Sequence, residues 1–300
     1  FVAKNQIIII RTMWPYFGGA TAPVFTAEDE AKEAASLTNK EKAEVLMDLY
    51  GTRKHDFNHS DQSMEALDNE IHRVPMEEKV AYCMALEQCP DQISHARKRE
   101  FLYSSEGNPQ LAARRLINYW DTRLDLFGEK KCFLPFTLDG ALQDDHDAIE
   151  KSAFSLLDTA DRNGRPVMMF DPSQHKAPRA YSTKSAIRAA WYLYESIPKD
   201  DEGKPRDVVT IMYLKLGMID NFDRKFMRLV NKILCTVMPL RACAFHICQP
   251  NTLYEGLLPI LIGALEKSAR LRLRIHRGSI ASVTDSLDSY GIDQVSFPSR

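Results

Sequence analysis

The chain has 300 residues, a formal net charge of −2, 44% hydrophobic residues and 27% charged ones. That length suits one large α/β unit or a core with an appended helical segment, and the composition excludes wholesale disorder and a disulfide-stapled miniprotein. The near-balanced charge gives no electrostatic reason to expect nucleic-acid binding.

In chain order, residues 1–25 mix Ile, Gly, Pro and aromatics without a clear period and read as a leader. Its apolar run Ile7 to Ile10 is far short of the ~20 residues that cross a bilayer. Ala31, Ala34, Leu37, Val45, Leu46 and Leu49 predict one helix over 27–50, ending near Gly51. Residues 52–69 read as a polar linker, with His55 and His59 in a solvated loop rather than at a metal. Residues 1–74 are thus expected to be a leader with one helix and a linker.

A helical module follows over 75–130, broken at Pro90 and at the turn Glu106-Gly-Asn-Pro109. Leu111, Leu116, Tyr119, Trp120, Leu124 and Phe127 recur at three and four, giving one buried face, with Arg114, Arg115 and Arg123 expected on the solvated face. The acidic cluster Asp144, Asp145, His146, Asp147 and Glu150 reads as a helix start, where carboxylates complement the macrodipole, rather than as a metal site.

From Phe154 the period changes. Apolar runs at 154–157 and 166–171 flank a turn with Asn163-Gly164, which predicts a hairpin. Helices over 181–196, 222–237 and 252–269 then alternate with strands over 207–216, 242–248 and 271–276, and a last helix covers 280–290. Residues 131–300 therefore predict an α/β domain with a small, mostly parallel mixed sheet and covering helices, behind the α-helical module. Val208 to Leu214 is apolar almost throughout, as for a strand buried on both faces.

Enzyme constellations are missing from the sequence. It contains no G-x-S-x-G elbow, phosphate loop, G-x-G-x-x-G fingerprint or H-E-x-x-H helix. The six cysteines form no CxxC pair and read as small buried hydrophobes in a reducing compartment. No catalytic residue, metal or cofactor is expected.

Two features point elsewhere. The segment Leu271-Arg-Leu-Arg-Ile-His276 puts Arg272, Arg274 and His276 on one strand face, and eleven Lys/Arg against six Asp/Glu lie from Asp223 onward. That face reads either as a contact to an anionic headgroup or membrane surface or as an edge guarded by arginine. The segment Leu253 to Leu265 has Glu255 as its single charge, apolar residues all round from Leu257, and Gly256, Pro259 and Gly263 to weaken and bend it. A mobile cover over a lipid pocket needs that combination; the alternative is a kinked core helix.

These segments, read in order, resemble the CRAL-TRIO lipid-binding family, which includes phosphatidylinositol, tocopherol and retinaldehyde carriers. Phe101-Leu102 through Asn108 and Ala112-Ala113 to Arg123 look like its N-terminal helical module. Asp161-Arg-Asn-Gly-Arg-Pro-Val167 is similar to its D-x-x-G-R-P-V hairpin, and Met238-Pro239, Phe245-His-Ile-Cys-Gln-Pro250 and Arg274-Ile-His-Arg-Gly278 follow in family order. The resemblance spans about 75–297.

It implies non-catalytic binding and intermembrane transfer of one hydrophobic ligand or phospholipid by a monomeric, cytoplasmic protein that visits membranes as a peripheral partner. The sheet would form the pocket floor, with Phe170, Ile211, Tyr213, Phe245 and Ile247 in it; a one-residue shift of strand parity exchanges Ile211 and Tyr213 for Met212 and Leu214. Leu253, Leu257, Leu258, Leu261, Ile262 and Leu265 would line the lid helix. Leu240 and Ile262 stand where phosphatidylinositol-binding members carry an acidic residue and a Lys, which moves the expectation toward a hydrophobic ligand or a differently held phospholipid. The competing reading is a lipid-free protein-interaction module like those attached to small-GTPase regulators.

Overall fold

The computed structural model describes residues 25–53, 61–171, 181–199, 207–214, 224–248, 255, 258–263, 265 and 267–293. Two capping boxes set the first helices. Helix α1 (Ala27–Ala35) starts at Thr26, which exchanges hydrogen bonds with Asp29, and α2 (Asn39–Tyr50) starts at Thr38 in the same way with Glu41. The extended backbone of Thr38 therefore splits the single helix expected over 27–50 into two. Helix α2 ends at Gly51, whose φ of +69° is left-handed and whose missing Cβ leaves room for the Arg165 guanidinium.

The segment read as linker is instead partly a 13-residue helix, α3 (Asp61–Arg73), which buries Met64, Leu67 and Ile71. Its stripe is only one residue wide per turn, so polar composition outweighs periodicity in the sequence. His55 and His59 lie outside the described residues. Helices α4 (Val80–Gln88), α5 (His95–Ser104) and α6 (Pro109–Phe127) complete the module, with Asn108 capping α6 and Pro109 at its first turn.

Two of the three arginines expected on a solvated face of α6 are engaged in the interior. Arg123 is 1% exposed, bonded to Gln92 and the Leu134 carbonyl and lying over the Trp120 and Phe136 rings. Arg115 donates to the Cys235, Met238 and Leu240 carbonyls beyond a later helix. The reason is that α6 is wrapped on more than one side; only Arg114 stays exposed, paired with Glu78.

Short helices α7 (Glu129–Cys132) and α8 (His146–Glu150) lead into the sheet. Asp145 from the acidic cluster is buried and holds Arg188 through two 2.7 Å bonds, so an ion pair, not dipole complementarity alone, accounts for it.

The sheet has five strands in sequential order: β1 (Phe154–Leu156), β2 (Val167–Phe170), β3 (Asp207–Tyr213), β4 (Arg241–Cys248) and β5 (Leu273–His276). The β1–β2 pair is antiparallel and the rest are parallel, as the hairpin and the alternating elements predict. In the hairpin turn, Asp161 accepts from the Asn163 and Arg165 N–H groups. The same turn caps α2, because Asn163 bonds the Tyr50 carbonyl and Arg165 bonds the Asp48 and Leu49 carbonyls.

Helices α9 (Thr183–Glu195) and α10 (Arg224–Thr236) cover the front of the sheet. Helix α2 and α13 (Ile280–Asp288) cover the back, with Val45, Leu49, Val283 and Leu287 packed on Val209 and Ile211. Two further short helices, α11 (Leu258–Gly263) and α12 (Lys267–Leu271), lie between β4 and β5. Helix α12 takes up the first residue expected in the last strand. The module joins this layer through Glu195 of α9, which accepts from Arg97 and from the Tyr119 hydroxyl at 2.9 Å.

Candidate functional site

Strand register places two five-residue rows across the front face. One row reads Phe154, Phe170, Met212, Ile247, Ile275, and the next reads Leu156, Met168, Thr210, Phe245, Leu273. Nine of these ten residues are apolar. The exception is Thr210, whose hydroxyl is buried without a hydrogen-bond partner among the described residues.

Helix α11 packs on the β3–β5 end of this face. Leu258 and Ile262 meet Leu214, Ile247, Met212, Leu273 and Ile275 in one apolar cluster. Pro259 and Gly263 fall within this six-residue helix, so it has little intrinsic strength and is held by packing. At the other end, a cleft of about 460 Å³ opens beside Phe245, between α6, α10 and α12. Its apolar wall includes Leu234, Leu240, Ala242 and Ala269, and Arg115 and Arg272 stand at its polar side.

Of the floor residues anticipated from sequence, Phe170, Phe245 and Ile247 share this front face. Ile211 and Tyr213 do not; they point to the back, into the core under α2 and α13, and Met212 and Leu214 take their place. A uniformly apolar strand carries no alternation from which its parity can be read. A bulge between Val208 and Val209, opposite Cys243, further separates the parity of β3 from that of β4. Of the lid residues, Leu258 is buried, while Ile262 and Leu265 are half-buried. Leu253 and Leu257 lie outside the described residues, as does the side chain of Leu261.

Arg274 and His276 lie on the back face of β5, as the alternation predicts, whereas Arg272 precedes the strand and lines the cleft beside Phe245. Arg272 donates to Asp48 at 2.7 Å. Arg274 folds along the sheet border and donates to the Leu273 carbonyl at 2.6 Å, blunting the edge strand. His276 is buried, with its Nε2 2.8 Å from Nδ1 of His246 and its Nδ1 2.7 Å from Ser286. Burial, and then the nearby Arg274 charge, push the His276 ring down to about 4, so it is neutral at ordinary pH. All three side chains thus make contacts within the protein.

Among the described residues, no three His, Cys, Asp or Glu side chains are grouped to hold a metal ion, and no helix is long and apolar enough to cross a membrane. The arrangement is an α/β domain whose apolar front face is packed under α9 and α10, met at its β3–β5 end by the short helix α11 and flanked beside Phe245 by a cleft. Residues 150–290, just under half of the chain, match the CRAL/TRIO domain family model. Among solved structures, one described as the crystal structure of Sfh5 is similar to this chain at 11% identity. That likeness covers 73% of this chain and 81% of the other, with a TM-score of 0.45. No curated protein matches the sequence.

Proposed function

We propose that the protein binds a single hydrophobic molecule or phospholipid against the front face of its sheet and carries it between membranes, without covalent chemistry. The observation that carries this reading is the apolar β3–β5 end of the front face, where Met212, Leu214 and Ile247 meet Leu258 and Ile262 of the short helix α11. Met212, Leu214, Phe245 and Ile247 form the floor, and Leu258 and Ile262 the described part of the lid. Apolar burial at about 25 cal/mol per Å² supplies the affinity, so some 400 Å² of hydrocarbon is worth about 10 kcal/mol before the cost of ordering it. The protein works as a cytoplasmic monomer that meets membranes at their surface.

Transfer of a fluorescent phosphatidylcholine from donor to acceptor vesicles tests this directly. The protein should accelerate transfer in proportion to its concentration. Transfer no faster than in buffer, for phosphatidylcholine and for a panel of other lipids and sterols, contradicts the reading.

A further inference from the structure

Helix α1 is nine residues long and buries none of them. Isolated helices below about 12–15 residues are marginal in water, so α1 keeps its place through the few contacts it and its flanking residues make. Those contacts reach the first turn of α11 and, for the most part, α12 just beyond it. The Phe25 N–H donates to the Pro259 carbonyl at 3.0 Å, at the start of α11. Beyond its end, Arg270 of α12 donates to the Leu265 carbonyl, grips both carboxylate oxygens of Glu33 in α1, and stands 4.9 Å over the Phe25 ring. Lys267 adds a 3.1 Å bond to Ser36. Elsewhere the two sides stand apart across a groove of about 720 Å³, with Ala34, Leu37 and Leu46 on one wall and Ile262, Leu271 and Ile275 on the other.

We propose that α1 is a latch on the lid, with Arg270 as its catch; this rests on the reading of α11 as a lid. A helix fixed for structural reasons would bury an apolar stripe, whereas this one is clasped by a part-buried charge pair, a cation–π contact and one backbone hydrogen bond over an open groove. One guanidinium joins the Leu265 carbonyl, just beyond α11, to Glu33 and lies over the Phe25 ring, so parting Glu33 from Arg270 loosens the hold of α1 on α11. Phosphates of an anionic membrane surface compete for Arg270 and Lys267, and that would open the lid where lipid is exchanged.

Hydrogen–deuterium exchange of the full chain tests the latch without any ligand. In Glu33→Gln, amides of residues 258–263 should exchange about fivefold faster, the scale of a two-point charge-assisted contact, while amides of α13 keep their rates. The swap Glu33→Arg with Arg270→Glu should restore slow exchange in part, since it returns the charge pair but not the bond to the Leu265 carbonyl or the contact with the Phe25 ring. Unchanged rates at 258–263, or equal acceleration in α13, would overturn the latch. Uptake of fluorescent phosphatidylcholine is measured in parallel and separates the two ideas. Faster exchange at 258–263 with no uptake by either protein supports the latch and removes the carrier reading, whereas faster exchange with faster uptake supports both.

Discussion

Asp48, near the end of α2, and Arg241, the first residue of β4, form a buried ion pair that fastens the N-terminal helices to the sheet. The same carboxylate oxygen also accepts from Arg272 at 2.7 Å and from Arg53 at 3.2 Å. Three cations from three segments thus converge on one side chain that has no exposed surface. Burial alone would push the Asp48 carboxyl up, but the hydrogen bond and charge of Arg241, with Arg272, hold it below its ordinary value.

Asp48→Asn should therefore destabilise the protein by about 3–5 kcal/mol in urea unfolding, since it strips the shared counter-charge from three partly buried guanidiniums. A lowered carboxyl stabilises the fold fully above its unfolded value, and that contribution is lost as pH falls through the folded one. The wild-type protein should lose this share below the ordinary carboxyl value of 3.8, and Asp48→Asn should not.

The buried histidines set a second pH dependence, of a different origin. Burial holds His276 at about 4 against an ordinary 6.5, and His246 well below that value. Unfolding lets both rings take up protons, so stability is complete above 6.5 and is lost progressively as pH falls toward 4. For His276 the loss is about 2 kcal/mol by pH 5. Urea midpoints measured from pH 7 to pH 5 should fall in the wild type and fall less steeply in His276→Gln; parallel curves would remove the assignment.

Neighbouring residues of β3 should behave oppositely, because they face opposite layers. Met212→Asp puts a charge on the half-buried lid side and should abolish uptake of fluorescent phosphatidylcholine while the protein still folds. Ile211→Ala opens a cavity in the fully buried back layer and should cost about 2–5 kcal/mol of stability with uptake retained. Loss of uptake in Ile211→Ala but not in Met212→Asp would reverse the faces.

Thr210 is the polar exception on the front face, with its hydroxyl buried and unpaired among the described residues. Replacing it by Val removes that unmet hydroxyl at nearly constant shape. Thermal unfolding of ligand-free Thr210→Val should show a gain of about 1 kcal/mol. A loss of the same size would mean that the hydroxyl has a partner.

Much of the domain is legible in the sequence because its signals are local. The Asn163-Gly164 turn with its flanking apolar runs marks the β1–β2 pair, and the period change after Phe154 marks the alternation that builds the sheet. The alternating Leu-Arg pattern of β5 also reports its two faces correctly, but not that α2 and α13 cover the basic one, since that depends on long-range pairing through Asp48 and His246. Helix α3 is hidden by its polar composition and α1 by its continuity with α2, where one extended residue, Thr38, makes the break. The floor is half legible: β4 is read in the right parity, whereas β3 is apolar on both faces and leaves nothing in its own residues to choose Met212 over Ile211.

Native mass spectrometry of the protein after incubation with mixed phospholipid and sterol vesicles and removal of the vesicles tests lipid carriage most directly. One bound lipid per chain, lost in Met212→Asp, is the expected result. A mass equal to the bare polypeptide in every lipid mixture, from protein shown to be folded, would contradict it.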